Sequence, residues 1–206
     1  MPIPLIPIAI AVVAVAGGAG ALFARLAGKR IALLGGRRVG RSSLLRYLST
    51  GTVSEGAGPN PVGRGGTTVC KPQIGGRRVK FAVDTPQGSG LGLPDWRAAF
   101  MNADLVWYLF RADLIASEDP EEVDRVRKHV DLMVAWLASM KRKPKIVLIG
   151  TRADQAAEWH GDPQGFLDAV RLAEPLKLGA VKLGNASVVV GSLASDSDAE
   201  QLLGNL

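Results

Sequence analysis

Arg30-Ile-Ala-Leu-Leu-Gly-Gly-Arg-Arg-Val-Gly-Arg-Ser-Ser43 is the stretch on which the reading of this chain turns. From Gly35 it follows the pattern G-x-x-x-x-G-K-[ST], with Arg41 where the pattern has lysine. The apolar run before Gly35 predicts a strand and Ser43-Leu-Leu-Arg-Tyr-Leu48 predicts a helix, which is the setting the pattern requires. In such a loop glycines let successive backbone N–H groups converge on a phosphate at a helix N-terminus, where unpaired donors and the helix dipole favour negative charge. Gly35, Arg38, Val39, Gly40, Arg41, Ser42 and Ser43 are the candidate phosphate-binding residues, and Ser42 is a candidate Mg²⁺ ligand. A guanidinium is bulkier than an ammonium and is planar, so Arg41 favours phosphate binding over fast hydrolysis.

The chain is 206 residues long, enough for one domain of ordinary size and a small appendage. The appendage is N-terminal: Met1 to Ala24 contains no ionisable side chain, and Ile8 to Ala16 is apolar throughout. As a helix, Pro4 to Ala24 would measure roughly 31 Å, close to the hydrocarbon thickness of a bilayer. Arg25, Lys29 and Arg30 follow it, and the positive-inside rule then places the C-terminal side in the cytoplasm. The expectation is a single-pass membrane protein with residues 1–25 as anchor, lipid contact through residues 3–24, and a cytoplasmic domain over 26–206. A cleaved signal peptide is one alternative, although the basic segment such peptides begin with is missing. A hydrophobic element buried in a partner or a homo-oligomer is another. The net charge of +6 suits a domain held near anionic lipid. No basic stretch rich in aromatic residues points to nucleic acid. Cys70 is the only cysteine and His129 and His160 are the only histidines, so a cysteine- or histidine-based metal site is excluded and Mg²⁺ is the one metal expected.

Beyond the phosphate loop, Ser49 to Gly66 is rich in Gly, Ser, Pro and Asn and reads as a long loop. Two short strands are expected at Thr68–Pro72 and Arg78–Val83, joined by a Gly75-Gly76 turn. Trp96 to Met101 is predicted helical, and Asp104 to Phe110 has the length of a buried strand. Val123, Val126, Val130, Met133, Val134 and Leu137 recur at helical spacing from Pro120 to Met140, with Asp119 as cap. Lys145–Gly150 and Ser187–Val190 are further strands, Gln164–Leu172 a further helix, and a short helix from about Asp198 closes the chain, leaving one flank of the sheet for a partner. Strands alternating with helices imply an α/β three-layer sandwich around a mostly parallel sheet. Trp107 and Trp136 are expected in the core, and Trp96 and Trp159 near the surface.

In such a sheet ligands bind beyond the C-terminal ends of the strands. Asp84 follows Val79–Val83 and is a candidate for the Mg²⁺ shell, while Gly88 would let a backbone N–H approach a terminal phosphate. Thr151-Arg-Ala-Asp154 follows Val147–Gly150. Asp154 could accept the two hydrogen bonds offered by guanine N1 and N2, and Arg152 could lie along the base. Gly191-Ser192-Leu193-Ala194 follows the last strand, where a backbone N–H could meet guanine O6. Each has a plainer reading: Asp84 as a turn residue, Asp154 as a helix cap, Thr67 and Thr68 as ordinary strand residues.

The order phosphate loop, Thr-Thr, Asp-Thr-Pro-x-Gly, Thr-Arg-x-Asp, Gly-Ser-x-Ala resembles the five guanine-nucleotide motifs of the translation-factor (TRAFAC) class of P-loop GTPases, over roughly Arg30 to Ser195. Gly66-Thr-Thr68 and Asp-Thr-Pro are more similar to the Era/TrmE-like and immunity-associated branches than to Ras. The resemblance implies GTP or GDP with Mg²⁺, a first switch in which Thr67 or Thr68 closes over the metal, and a second containing Gln87 and Gly88. It further implies a slow GTPase switch that recruits or assembles a partner through loops 51–68 and 85–93. Three departures stand out: Arg41 and Arg152 replace lysines, and the Asp-x-x-Gly spacing is longer by one residue. Ser89 follows the second-switch glycine where Ras-type enzymes have glutamine, so no catalytic residue is assigned. A nucleotide-binding pseudo-GTPase serving as a structural subunit at the membrane is the alternative.

Overall fold

The computed structural model describes residues 18–53, 66–74, 77–86 and 94–206. The strands, in chain order, are β1 (Arg30–Gly35), β2 (Gly66–Cys70), β3 (Gln73–Ile74), β4 (Arg77–Arg78), β5 (Phe81–Thr85), β6 (Leu105–Arg111), β7 (Lys145–Thr151) and β8 (Ser187–Val190). Six of them form one sheet in the order β2-β5-β1-β6-β7-β8, and β3 pairs with β4 apart from it. Only β2 runs antiparallel to its neighbour in the sheet, β5; the other pairings are parallel. A parallel strand covered on both faces has no polar side to present, and so β1, β6 and β7 are near-continuous apolar runs. The chain fills one side of β1 with β5 and β2 and then the other with β6, β7 and β8. The loop leaving β1 therefore emerges where the strand order reverses, the place where such sheets open a crevice.

The helices are α1 (Gly18–Leu26), α2 (Arg41–Thr50), α3 (Pro94–Met101), α4 (Ala112–Ala116), α5 (Pro120–Ala138), α6 (Ala157–Gly161), α7 (Pro163–Leu172), α8 (Glu174–Lys182) and α9 (Asp196–Gly204). One layer, carrying α3, α5, α7 and α8, buries Val126, Val130, Met133, Phe166 and Leu176 against Leu34, Tyr108 and Leu148 of the sheet. The other, carrying α1, α2 and α9, buries Leu44, Leu48 and Leu202 against Ile31, Leu33 and Val83. Asp119 caps α5 by accepting from the Glu122 N–H at 2.9 Å, an arrangement that stabilises a helix by about 1 kcal/mol. The α/β sandwich expected from the sequence is the observed architecture, and it is compatible with a P-loop sandwich.

The C-terminal end of the expected anchor, the open flank of the sheet and the placement of Trp96 need correction. Most of the expected membrane anchor, residues 1–17, lies outside the described residues, and among the described ones no helix is long and apolar enough to cross a membrane. The C-terminal end of that stretch belongs to α1, where Leu22 and Phe23 are buried with Leu26 in the domain core and the Phe23 ring lies 6.0 Å from that of Phe81. Residues 22 and 23 are thus covered by protein rather than lipid, and a boundary at residue 25 would cut through a helix. Because α1 packs on α9, the flank left open by the short last helix is covered by this chain itself. Trp96, expected near the surface, is buried at 2% exposure because α3 turns it against His129, with ring centroids 5.0 Å apart. The segment after Leu172, unassigned in the sequence, forms α8. There Gly179 permits close approach to α5, since a Cβ would lie 3.0 Å from Val130.

Candidate functional site

The phosphate loop requires glycine for definite reasons at two positions. Gly35 has φ +145°, and a Cβ there would stand 2.6 Å from the Leu109 carbonyl oxygen on β6. Gly40, at φ +80°, directly precedes α2, and a Cβ would lie 2.9 Å from the Leu193 side chain. No side chain caps α2, so the first-turn donors point into the loop unsatisfied by a cap. Val39 is buried beneath the loop, Ser43 is half-buried, and Ser42 stands exposed in the first turn.

The loop is fastened by the residues expected to read the base. Thr151, at the end of β7 and fully buried, donates its hydroxyl to the Val39 carbonyl at 3.0 Å, with the Phe110 carbonyl at 3.2 Å. Arg152 has a left-handed backbone, φ 59°, that aims its guanidinium at the Arg38 carbonyl, 2.8 Å away. Asp154 accepts from Ser192 Oγ and Gln155 Nε2, each at 2.6 Å, and Ser192 Oγ in turn accepts from the Ala194 N–H at 2.9 Å. Burial works to raise the Asp154 carboxyl, but the Ser192 and Gln155 hydrogen bonds, its own backbone and the Arg152 charge outweigh it and hold the group below the ordinary carboxylate range. Gly35, Arg38, Val39, Gly40, Thr151, Arg152, Asp154, Ser192 and Leu193 are therefore one continuous assembly drawn from three segments of the chain.

The metal side is arranged differently. Asp84 pairs in register with Ala32, three residues before Gly35, or about 10 Å back along the strand at 3.3 Å per residue. Its two carboxylate oxygens are engaged by Thr67 Oγ1 at 2.5 Å and by Arg30 Nε at 2.7 Å. Thr67 and Thr68 are successive strand residues facing opposite sides of the sheet: Thr67 lies across from Asp84, Thr68 across from Val83. Arg41, whose burial lowers its affinity for a proton, reaches over to the Pro86 carbonyl at 3.0 Å. Gln87 and Gly88 lie outside the described residues, as does most of the first-switch loop, residues 54–65. Among the described residues no group of three or more His, Cys, Asp or Glu side chains is arranged to hold a metal. A Mg²⁺ ion on this chain would rest on Ser42 and phosphate oxygens, and Asp84 would have to exchange Arg30 or Thr67 to join it.

Sequence reasoning missed three supports. Arg125 of α5 lies against Gly36, where a Cβ would meet its side chain at 3.3–3.4 Å, and it is ion-paired with buried Glu122. The same Glu122 accepts from the Arg111 N–H at 2.9 Å, tying α5 to the end of β6. Asp196 accepts from the Val53 N–H at 2.7 Å and from Thr52 Oγ1 at 3.0 Å, so the entry to the first-switch loop is clamped beside the base-reading loop. His129 is buried, with Nδ1 2.8 Å from the Tyr108 hydroxyl. Burial, aided by Arg125 and Arg41, pushes His129 down to about 4. Helical spacing marks Arg125 as a polar-side residue and says nothing of the loop it covers. Asp196 stands two residues after the Gly-Ser-x-Ala segment, which is a usable proximity signal.

No protein-family model matches the chain, and no curated protein matches it in sequence.

Proposed function

We propose that this chain is a guanine-nucleotide-binding protein of the translation-factor GTPase type. It would be tethered to a membrane by the uncharged stretch ahead of α1 and act as a slow GTPase switch that recruits or assembles a partner. The observation that carries the reading is the double fastening of the phosphate loop by the base-reading motif, Thr151 to the Val39 carbonyl and Arg152 to the Arg38 carbonyl. Asp154 beside them is kept ionised and oriented by Ser192. A carboxylate in that position accepts from guanine N1 and N2, donors that adenine does not present. Switching would come from the segments after Val53 and Pro86, which take up a terminal phosphate and Mg²⁺ and present the result to a protein partner.

A second reading, a pseudo-GTPase that binds nucleotide as a structural subunit, draws on two contacts. Arg41 is engaged by the Pro86 carbonyl and Asp84 by Arg30, so the groups expected to meet phosphate and metal are already partnered. Titrating the full chain in detergent with fluorescent GTP, GDP and ATP, with and without Mg²⁺, tests the first reading. Guanine preference is expected, and equal affinity for ATP would overturn it. Following GTP conversion to GDP in the same samples separates slow turnover from none.

A further inference from the structure

The starts of the parallel strands are joined by four main-chain hydrogen bonds: Gly28 N–H to the Lys80 carbonyl at 2.8 Å, Ala82 to Lys29 at 3.0 Å, Asp104 to Arg30 at 2.8 Å and Lys145 to Asp104 at 3.1 Å. They set Lys80, Lys29, Asp104 and Lys145 in a row across β5, β1, β6 and β7. With strands about 4.8 Å apart, the row is about 14 Å wide. Lys141-Arg142-Lys143 extends it ahead of β7, and Lys71 after β2 extends it at the other end. All of these lysines are exposed, and none is ion-paired among the described residues. The one acid in the row, Asp104, is already engaged by Arg142 at 2.6 Å and by the Arg30 N–H at 3.0 Å. The phosphate loop, Thr151 and Ser192 lie at the opposite ends of the same strands.

We infer that this lysine row is a docking face for an anionic bilayer surface, which holds the domain with its nucleotide end away from the lipid. The inference rests on the membrane half of the function proposed above. A broad row of separate ammonium groups, with no pocket between them, matches a sheet of anionic headgroups rather than one shaped ligand. Among the described residues, aromatic platforms of the kind that bind single-stranded nucleic acid are not presented beside it. Phe81 and Phe100 are buried, and Trp136 is packed edge-on against Phe100 with ring centroids 5.3 Å apart. Residues 1–24 carry no ionisable side chain, so side-chain attraction to anionic lipid has to come from the domain. Two modest signals acting together give the stable attachment that one alone does not.

The test is co-sedimentation of the full chain with vesicles of phosphatidylcholine alone or phosphatidylcholine with phosphatidylserine, over a series of salt concentrations. Each lysine near an anionic surface strengthens binding roughly fivefold at low salt, so Lys80→Gln, Lys143→Gln and Lys145→Gln together should weaken the serine-lipid preference on the order of 100-fold. Binding to the neutral vesicles, which reports the N-terminal stretch, should not change. A control replacing Lys128, Lys177 and Arg171 by Gln should keep the preference. Equal binding of the unmodified chain to both vesicle types would overturn the inference, whether or not it binds neutral lipid. So would an unchanged preference in the triple variant with its thermal transition intact. Displacement from the anionic vesicles by single-stranded RNA at stoichiometric amounts would assign the row to nucleic acid instead.

Discussion

The two ends of the candidate site are built on opposite plans. On the base side, side chains from β7 and the loop after β8 bond to the phosphate loop and to one another, leaving Asp154 ionised and part-exposed toward the opening. On the metal side, Asp84, Thr67 and Arg30 satisfy each other, and Arg41 is turned to the Pro86 carbonyl. Both carboxylates are already hydrogen-bonded, Asp154 by Ser192 and Gln155 and Asp84 by Thr67 and Arg30, but of the two only Asp84 is ion-paired with a cation that a divalent ion would have to displace. Binding and turnover are thereby separable in this chain, and substitutions on the two sides should give different signatures.

The largest effect should come from the residue both sides depend on. Gly35→Ala places a Cβ 2.6 Å from a β6 carbonyl at a positive φ, so strand and loop must shift together. Overpacking and backbone strain each cost about 1–3 kcal/mol, and a loss of about 4 kcal/mol is expected. Denaturant titration measures it, and a stability within error of the unmodified chain would break the claim that β6 braces the loop.

Acid should distinguish the sides next. His129 packs between Tyr108 and Trp96, under the helix that follows the second-switch segment, and its folded value of about 4 is below the ordinary 6.5. The unfolded chain therefore takes up the proton first. Stability is complete above pH 6.5 and falls as pH drops toward 4, by about 3 kcal/mol in all. His129→Gln should flatten that decline in a series of thermal melts. The depressed Asp154 carboxyl acts in the same direction at lower pH: its charge survives through the ordinary carboxylate range and is lost only below it. Guanine preference should accordingly outlast the first loss of stability as pH falls.

Asp154→Asn removes the acceptor pair on the base side and should weaken GTP by about 2 kcal/mol, roughly 30-fold, while admitting xanthosine triphosphate. Competition binding decides it; an unchanged GTP affinity would detach Asp154 from base reading. On the metal side, Arg41→Lys substitutes a compact ammonium for a guanidinium anchored on Pro86 and should raise single-turnover GTP hydrolysis roughly tenfold, about 1.4 kcal/mol in the barrier, with little change in GDP affinity.

The unequal plans also explain what could be read in advance. Strands β1, β6 and β7 carry unbroken apolar runs, α5 carries a helical stripe with Asp119 ahead of it, and the phosphate loop has a fixed spacing, so their places followed from local pattern. Whether Thr151, Arg152, Asp154 and Ser192 read a base is a separate question that Asp154→Asn addresses, but that they come together was legible because each ends or follows a strand of a parallel sheet, and strand ends converge. The metal side was not, because it depends on register. Nothing local to Asp84 indicates that β5 sits three residues back from Gly35, or that Arg30 will reach it. Leu22 and Phe23 read as lipid-facing for a similar reason: hydrophobicity measures the wish to leave water, and lipid and the cluster around α9 satisfy it equally. Trp96 was misplaced because α3 has only two turns, too short for its buried face to register as a period.

The smallest expected effect gives the sharpest reading of the metal side. Arg30→Gln removes the cation from Asp84 and leaves the Thr67 hydrogen bond in place. Because the Arg30 side chain is 46% exposed, solvent screens the pair, and its loss should cost under about 1 kcal/mol of stability. The local consequence is larger than the global one, for a carboxylate relieved of its counter-charge becomes a better acceptor for a divalent ion. GTP binding in the variant should therefore depend more steeply on Mg²⁺ while binding without Mg²⁺ stays as it was. If the Mg²⁺ dependence is unchanged, Asp84 is a structural partner of Thr67, and the metal shell must be completed from Ser42, phosphate oxygens and water. That outcome would move the functional weight of β5 from its carboxylate to Pro86 at its end, whose carbonyl Arg41 already holds.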